Sequence, residues 1–278
     1  MGARASLPVC STTVRVQCFG SRAVKILYVA DLHYSLKQFD WLLANARPFD
    51  VAAIGGDLLD VAGALDPDVQ IAVIERYLRR LRGQTRLLVV SGNHDADARN
   101  AAGEWFAKWL LRVRGDGLFV DGDEISLPNA TVTLCPWWDG PVSRAELEQF
   151  LAQAATRVIG KWIWIHHAPP DRSPVSWTGK KFAGDGYLLE WIRRFRPDFV
   201  LSGHIHNAPF YSEGSWIDRI ENTWVFNPGR QIGQRPTSIV FDLEAMTAEW
   251  FSLEGACLKR LVIETGETSA PVASAVDA

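Results

Sequence analysis

Residues 24–33 read VKILYVADLH, residues 51–60 read VAAIGGDLLD and residues 86–95 read RLLVVSGNHD. Each is an apolar run of strand length that stops on a cluster of Asp, Asn, His or Gly. Two later stretches repeat the design: KWIWIHHAPP at 161–170 and DFVLSGHIH at 198–206. A strand buried on both faces reads as a continuous apolar run, because neither face needs polar residues. The five runs therefore predict strands at 24–30, 51–55, 86–91, 161–166 and 198–202. Between them, apolar residues recur at helical spacing near 35–46, 66–82, 100–112, 143–155 and 185–195. In the last, GDGYLLEWIRRFRPD, the pattern ends where Pro197 supplies a stop. Strands alternating with helices predict a largely parallel sheet with helices against its faces.

Further out the texture changes. TWVF at 223–226, SIVFDL at 238–243 and AEWFSL at 248–253 read as strands with turns between them and little room for helices. They predict a second, more antiparallel sheet packed on the first. The segment 117–138 adds two or three strands around Asp-Gly and Pro-Asn turns. One domain over 23–263 is expected, with an N-terminal tail or edge segment at 1–22 and a flexible, small and polar C-terminal tail at 264–278.

In open α/β sheets, ligands bind just beyond the carboxyl ends of the strands, so the polar clusters should meet on one rim. In extended backbone, Asp-x-His and His-x-His put alternate side chains on one side, where both can face a common point. Carboxylates, imidazoles and one amide oxygen, without thiolate, suit a divalent cation such as Mn, Fe or Zn. Asp31, His33, Asp57, Asn93, His167, His204 and His206 are too many donors for one tetrahedral zinc. They suit two divalent metal ions sharing a carboxylate. On residue type alone, either His166 or His167 could be the ligand. Taken singly, each motif has a plainer reading: a helix cap for Asp31, a turn for Gly56-Asp57, an Asx-turn for Asn93, a satisfied core histidine for His166. It is their joint placement at strand ends that points to a metal site.

The ordered set DLH, GDLLD, GNHD, HAPP and GHIH resembles the calcineurin-like metallophosphoesterase superfamily over residues 25–230. The resemblance implies a four-layer α/β/β/α sandwich with two mixed sheets. It implies that Asp31, His33, Asp57 and His206 hold one metal, and that Asn93, His167, His204 and the shared Asp57 hold the other. The family's His-x-Pro pattern matches His167, which leaves His166 to the other face or to a supporting role. Asn227-Pro228-Gly229 is similar to a turn near the site in small members. The implied reaction is hydrolysis of a phosphoester, a small phosphodiester or phosphomonoester, by a water or hydroxide shared between the two cations. His94 would aid the leaving group, oriented by Asp95, and Asp60 would steady a ligand imidazole. Trp137, Trp138 and Trp177 are candidates for a flat pocket wall, and Arg230 for a partner to a second substrate phosphate.

Composition limits the alternatives. Hydrophobic residues make up 47% and charged residues 22%, enough for a large core. The net charge of -3, from 29 basic and 32 acidic residues, disfavours a nuclease, which needs a basic groove. Arg79, Arg80, Arg82 and Arg86, and Arg193, Arg194 and Arg196, read as solvated helix faces. A non-catalytic scaffold on the same fold generally lacks some of the ligands retained here. The four cysteines, Cys10, Cys18, Cys135 and Cys257, form no short-spaced pair and read as reduced thiols. No apolar run reaches the ~20 residues of a membrane span, and no export signal is evident. A cytoplasmic enzyme is expected; Gly2 and Ser6 fit an acylation pattern that arises often by chance. The motifs set no oligomeric state.

Overall fold

A computed structural model describes residues 24–262. The tails expected at 1–22 and 264–278, with Cys10, Cys18 and the pattern at Gly2 and Ser6, lie outside the described residues.

The five motif-bearing strands all form. β1 (Lys25–Val29), β2 (Val51–Gly55) and β3 (Arg86–Val90) run parallel, joined by α1 (Leu36–Asn45) and α2 (Pro67–Leu81). Alternation explains their unbroken apolar runs. Ile26, Tyr28, Ala53, Leu88 and Val90 face one core, while Leu27, Val29, Ala52, Ile54, Leu87 and Val89 face another shared with Phe39, Leu42, Ile74 and Leu78. α2 starts cleanly: Asp66 accepts from the Asp68 amide at 2.9 Å and Pro67 takes the first position.

The helix expected over 100–112 is shorter. β4 (Ala98–Arg99) and β5 (Trp105–Phe106) first pair as a small hairpin, and α3 (Lys108–Val113) follows. The cause is local. The Asn100 side chain accepts from the amides of Ala102 and Glu104 at 2.9 and 3.0 Å, which holds a turn where a helix would need free backbone.

Segment 117–138 yields β6 (Leu118–Phe119), β7 (Glu124–Leu127) and β8 (Ala130–Leu134). β6 extends the first sheet beside β3, whereas β7 and β8 open a second. There β8, β9 (Lys161–Ile165) and β10 (Phe199–Leu201) run parallel, with α4 (Pro141–Ala154) and α5 (Gly186–Phe195) between them. β11 (Ile217–Ile220) and β12 (Thr223–Phe226) complete this sheet, in the order β11-β12-β10-β9-β8-β7.

One expectation is corrected here. The C-terminal strands do not build a second sheet of their own. β13 (Ser238–Asp242) returns to pair antiparallel with β1, and β14 (Thr247–Phe251) and β15 (Ala256–Arg260) continue outward. The first sheet is thus β15-β14-β13-β1-β2-β3-β6, and the motif strands are divided between two sheets. Periodicity reports which face of a strand is buried, not which edge it joins.

The result is the four-layer α/β/β/α sandwich. α1–α3 cover the outer face of the first sheet. Leu147 and Leu151 of α4, with Leu188, Trp191 and Ile192 of α5, cover the second through Trp162, Trp164, Val200 and Val225. The inner core joins the sheets, and the buried Tyr28 hydroxyl donates across it to the Ser202 carbonyl at 2.9 Å. Most of the clustered arginines do lie on helix surfaces, where Arg79 meets Glu75 and Arg194 meets Glu148, but Arg86 is half-buried and opens strand β3 instead. Cys135 is buried, Cys257 is exposed, and both are free. Among the described residues, no helix is long and apolar enough to cross a membrane.

Candidate metal centre

Beyond β1 and β2 the two chains stay paired but turn sharply. The amides of Asp31, His33 and Tyr34 donate to the carbonyls of Gly56, Asp57 and Leu58 at 3.1, 2.9 and 2.8 Å. Asp31, His33, Tyr34, Asp57 and His204 all take positive φ, between 41° and 67°. Such strained backbone away from glycine concentrates where side chains are held for chemistry. Gly56 and Gly92 let the strands come close: a Cβ on either would strike His167, and one on Gly92 would also strike Asp57.

These turns gather the expected donors. One atom each of Asp31, His33, Asp57 and His206 lies within 4.8 Å of the others, and the same is true of Asp57, His167 and His204. Asp57 belongs to both groups. Its Oδ1 accepts from the His94 amide at 2.9 Å, which leaves Oδ2 at 3.6 Å from His33 Nε2 and 3.2 Å from His167 Nε2. The Nε2 atoms of His33 and His206 face each other at 3.0 Å, and the latter is 3.4 Å from Asp31 Oδ1. The His204 amide donates to both oxygens of Asp31.

Residue chemistry and an orphaned atom test whether a cation fits. Asn93 Oδ1 is buried without a hydrogen-bond partner, a costly state unless something binds it. His167 Nδ1 donates to the Gly55 carbonyl at 2.7 Å, so Nε2 is the nitrogen turned to Asp57 and the cluster. Burial, joined by the His206 and Arg230 charges, holds the His33 pKa down to about 4 despite Asp57 and Asp31. Burial and the charge of His167 hold His204 down to about 4 as well. Both are then neutral at neutral pH, as ligation requires. Burial also works to lower His167, but the Asp57 and Asp31 carboxylates outweigh it and raise its pKa to about 9. Burial opposes ionisation of Asp57, yet His167 and the His94 amide hold it well below the usual carboxylate range. Oxygen and imidazole donors, with one carboxylate common to two groups, fit divalent metal.

Compared with known families, residues 24–208 match the calcineurin-like phosphoesterases (Metallophos). The chain belongs to that family. Solved structures of the same fold include TT1561 of Thermus thermophilus, at TM-score 0.53 and 15% identity over 87% of this chain and all (100%) of that one. A dimetal phosphatase from Danio rerio aligns at TM-score 0.54 and 10% identity, covering 86% and 99% of the two chains. A purple acid phosphatase from yellow lupin (Lupinus luteus) seeds aligns at 0.52 and 13%, covering 86% of this chain and 54% of that one. At these identities the likeness shows the fold alone. No curated protein matches the sequence significantly.

In this metallophosphoesterase the adjacent histidines diverge. His167 enters the cluster, while His166 points away: its Nε2 lies 3.9 Å from Asp185 and its Nδ1 3.5 Å from the Cys135 carbonyl. His94 stands at the mouth, its ring 4.6 Å from that of His33 and its Nε2 4.0 Å from Asp57 Oδ2. The expected pairing of His94 with Asp95 is corrected. Asp95 is fully buried and its oxygens accept from the amides of Leu58, Leu59 and Gly92 at 2.9, 3.0 and 2.8 Å. It staples the loop after β2 to the loop after β3; burial and the Asp57 charge push its pKa up to about 8. Asp60 also lies near the His94 ring, grouped within 4.8 Å with His94 and His33, and the Val61 amide donates to His94 Nδ1 at 3.4 Å.

Of the three expected tryptophans, only Trp137 reaches the cluster, 5.8 Å from the His167 ring and 5.6 Å from that of His204. Trp138 is held aside by donating to Asp185 at 2.9 Å and packing on Tyr187. Trp177 packs on Phe182. Asn227 and Gly229 do lie by the site: the Asn227 side-chain Nδ2 donates to the Ile205 carbonyl at 3.0 Å, and the backbone amide of Arg230, next to Gly229, to that of His206 at 2.9 Å. Asp121 had no motif to mark it beyond a turn, yet it is buried and accepts from the Ser91 amide at 2.8 Å, fixing the end of β3.

Proposed function

We propose that this phosphoesterase hydrolyses a small phosphodiester or phosphomonoester at a dinuclear centre. The observation that carries this reading is the double membership of Asp57, which lies in both donor groups. Asp31, His33, Asp57 and His206 would hold one cation, and Asp57, Asn93, His167 and His204 the other. When bound, two such cations supply Lewis-acid activation of the phosphoryl group and a water acidic enough to attack near neutral pH. Manganese, iron and zinc all suit the donors.

The chain itself does the rest. The neutral rings of His33 and His204 present lone pairs without prior loss of a proton. His94, outside the ligand set and partly open to solvent, gives a proton or hydrogen bond to the departing oxygen. The Val61 amide, donating to its Nδ1 at 3.4 Å, orients the ring, with the Asp60 carboxylate close by. Trp137 walls the His167–His204 side, where a flat group of the substrate would rest.

The test is hydrolysis of bis-p-nitrophenyl phosphate and p-nitrophenyl phosphate by metal-stripped protein, with Mn²⁺ or Zn²⁺ added back and Asp57→Ala in parallel. Metal-dependent turnover, lost in Asp57→Ala, is expected. Cleavage of the monoester alone would redirect the reading to a phosphatase. Protein that binds no metal and cleaves neither ester would overturn it.

A further inference from the structure

Beside the metal centre, where the Arg230 amide meets the His206 carbonyl, lies a groove of about 220 Å³. Its walls are the start of α1, with Ser35 and Lys37, and the loop after the Asn-Pro-Gly turn, with Arg230, Gln231 and Gln234. The volume is below the ~300–1,000 Å³ of sites that enclose a whole ligand, so it suits one end of a molecule whose other end lies elsewhere.

Three features give the groove its character. Lys37 and Arg230 bring two positive charges, and neither has a carboxylate partner among the described residues. The first turn of α1 holds no acidic residue, and Ser35 makes no side-chain cap, so the helix end adds to the positive potential. The loop is also anchored. The Arg230 amide donates to the carbonyl of the candidate ligand His206 at 2.9 Å, buried Gln38 donates to the Gln231 carbonyl at 2.9 Å, and Gln231 in turn accepts from the Leu253 amide at 2.8 Å. One cation on the first turn of α1 and one on a stitched loop, whose Arg230 amide is bonded to the His206 carbonyl, form a prepared place for an anion.

We infer that this groove is a subsite for a second anionic group of the substrate, so that the preferred substrates are phosphoesters carrying another phosphate. The inference rests on the phosphoesterase reading for its first phosphate. A substrate would then span the centre, with its scissile phosphorus between the donor groups and its second phosphate between Lys37 and Arg230. Substrates with a single phosphate would leave both cations solvated and lose that contact.

The experiment uses non-hydrolysable probes: methylphosphonate, and alkane bisphosphonates with two to five methylenes, titrated calorimetrically into the manganese-loaded full chain. One spacer length should bind at least ~10-fold tighter than methylphosphonate, which is about 1.4 kcal/mol. That ratio should fall to about threefold or less in Arg230→Gln and drop markedly in Lys37→Gln. A general loss of metal or of folding would weaken both probes together and leave the ratio alone. No spacer with such an advantage, or an advantage that survives both substitutions, overturns the subsite. Turnover of bis-p-nitrophenyl phosphate by the same preparation tests the enzymatic reading separately: hydrolysis without a bisphosphonate preference sinks the groove alone, and the preference without hydrolysis sinks the enzyme alone.

Discussion

His94, Asp95 and Asp60 lie close in space but carry different loads, and substitution should separate them. His94→Ala should lower kcat about 10²–10⁴-fold for an alkyl ester, the usual worth of a general acid, while metal content stays unchanged. The loss should be much smaller for a p-nitrophenyl ester, whose phenolate leaves without a proton; equal losses on both esters would remove His94 from that role. Asp60→Ala should reproduce part of the same leaving-group dependence with little change in stability. Asp95→Ala should do the reverse. It strands the buried amides of Leu58, Leu59 and Gly92, and a cost of roughly 3 kcal/mol in urea unfolding is expected.

Among the elements, α5 shows how a cap supports the site from a distance. Asp185 accepts from the amides of Tyr187 and Leu188 at 2.8 and 3.2 Å and from the Trp138 indole at 2.9 Å. One carboxylate thus starts a helix and fixes the Trp137-Trp138 loop. Asp185→Ala should cost about 1–2 kcal/mol at pH 7. Burial opposes its ionisation, but His166, the Leu188 amide and the Trp138 indole outweigh that and hold its pKa below the ordinary value. A depressed folded pKa stabilises above the unfolded value of ~3.9 and is lost as pH falls through the folded one. The gap between wild type and Asp185→Ala should therefore be constant from pH 7 to about 5 and narrow towards pH 3. A gap independent of pH would show that packing, not charge, carries the effect.

Across the whole molecule, the candidate ligands divide between the sheets. Asp31, His33, Asp57 and Asn93 follow strands of the first sheet, whereas His167, His204 and His206 follow strands of the second. Cations held by both would tie together two layers that are otherwise joined by apolar contacts and by hydrogen bonds such as Tyr28–Ser202, His167–Gly55 and His204–Asp31. Metal at ~1,000 times its Kd contributes about 4 kcal/mol, and for a domain this size each kcal/mol moves Tm by ~2–4 °C. Chelation should lower the Tm of wild type by about 8–16 °C and that of Asp57→Ala by far less. An equal shift in both would mean that the centre does not join the sheets. Tyr28→Phe, which leaves the Ser202 carbonyl without that donor, should cost about 1–2 kcal/mol without changing metal content.

Much of this was already written in residues 24–33, 51–60, 86–95, 161–170 and 198–206. Apolar runs of strand length determine strands, because burial on both faces leaves no polar alternation, and the donors that end each run determine a metal rim at the strand ends. The tertiary structure decided what depends on contacts distant in sequence. It sent β13–β15 back to the edge of β1, since strand edges carry no mark in periodicity. It turned Asp95 into the core and set Asp60 beside His94, because the backbone torsions after β2 and β3 choose where adjacent side chains point. It also brought Lys37 and Arg230, 193 positions apart by their numbers, to one groove at the metal centre. A pattern of residue types can name the chemistry; only the packing of two sheets supplies the distances over which charges meet.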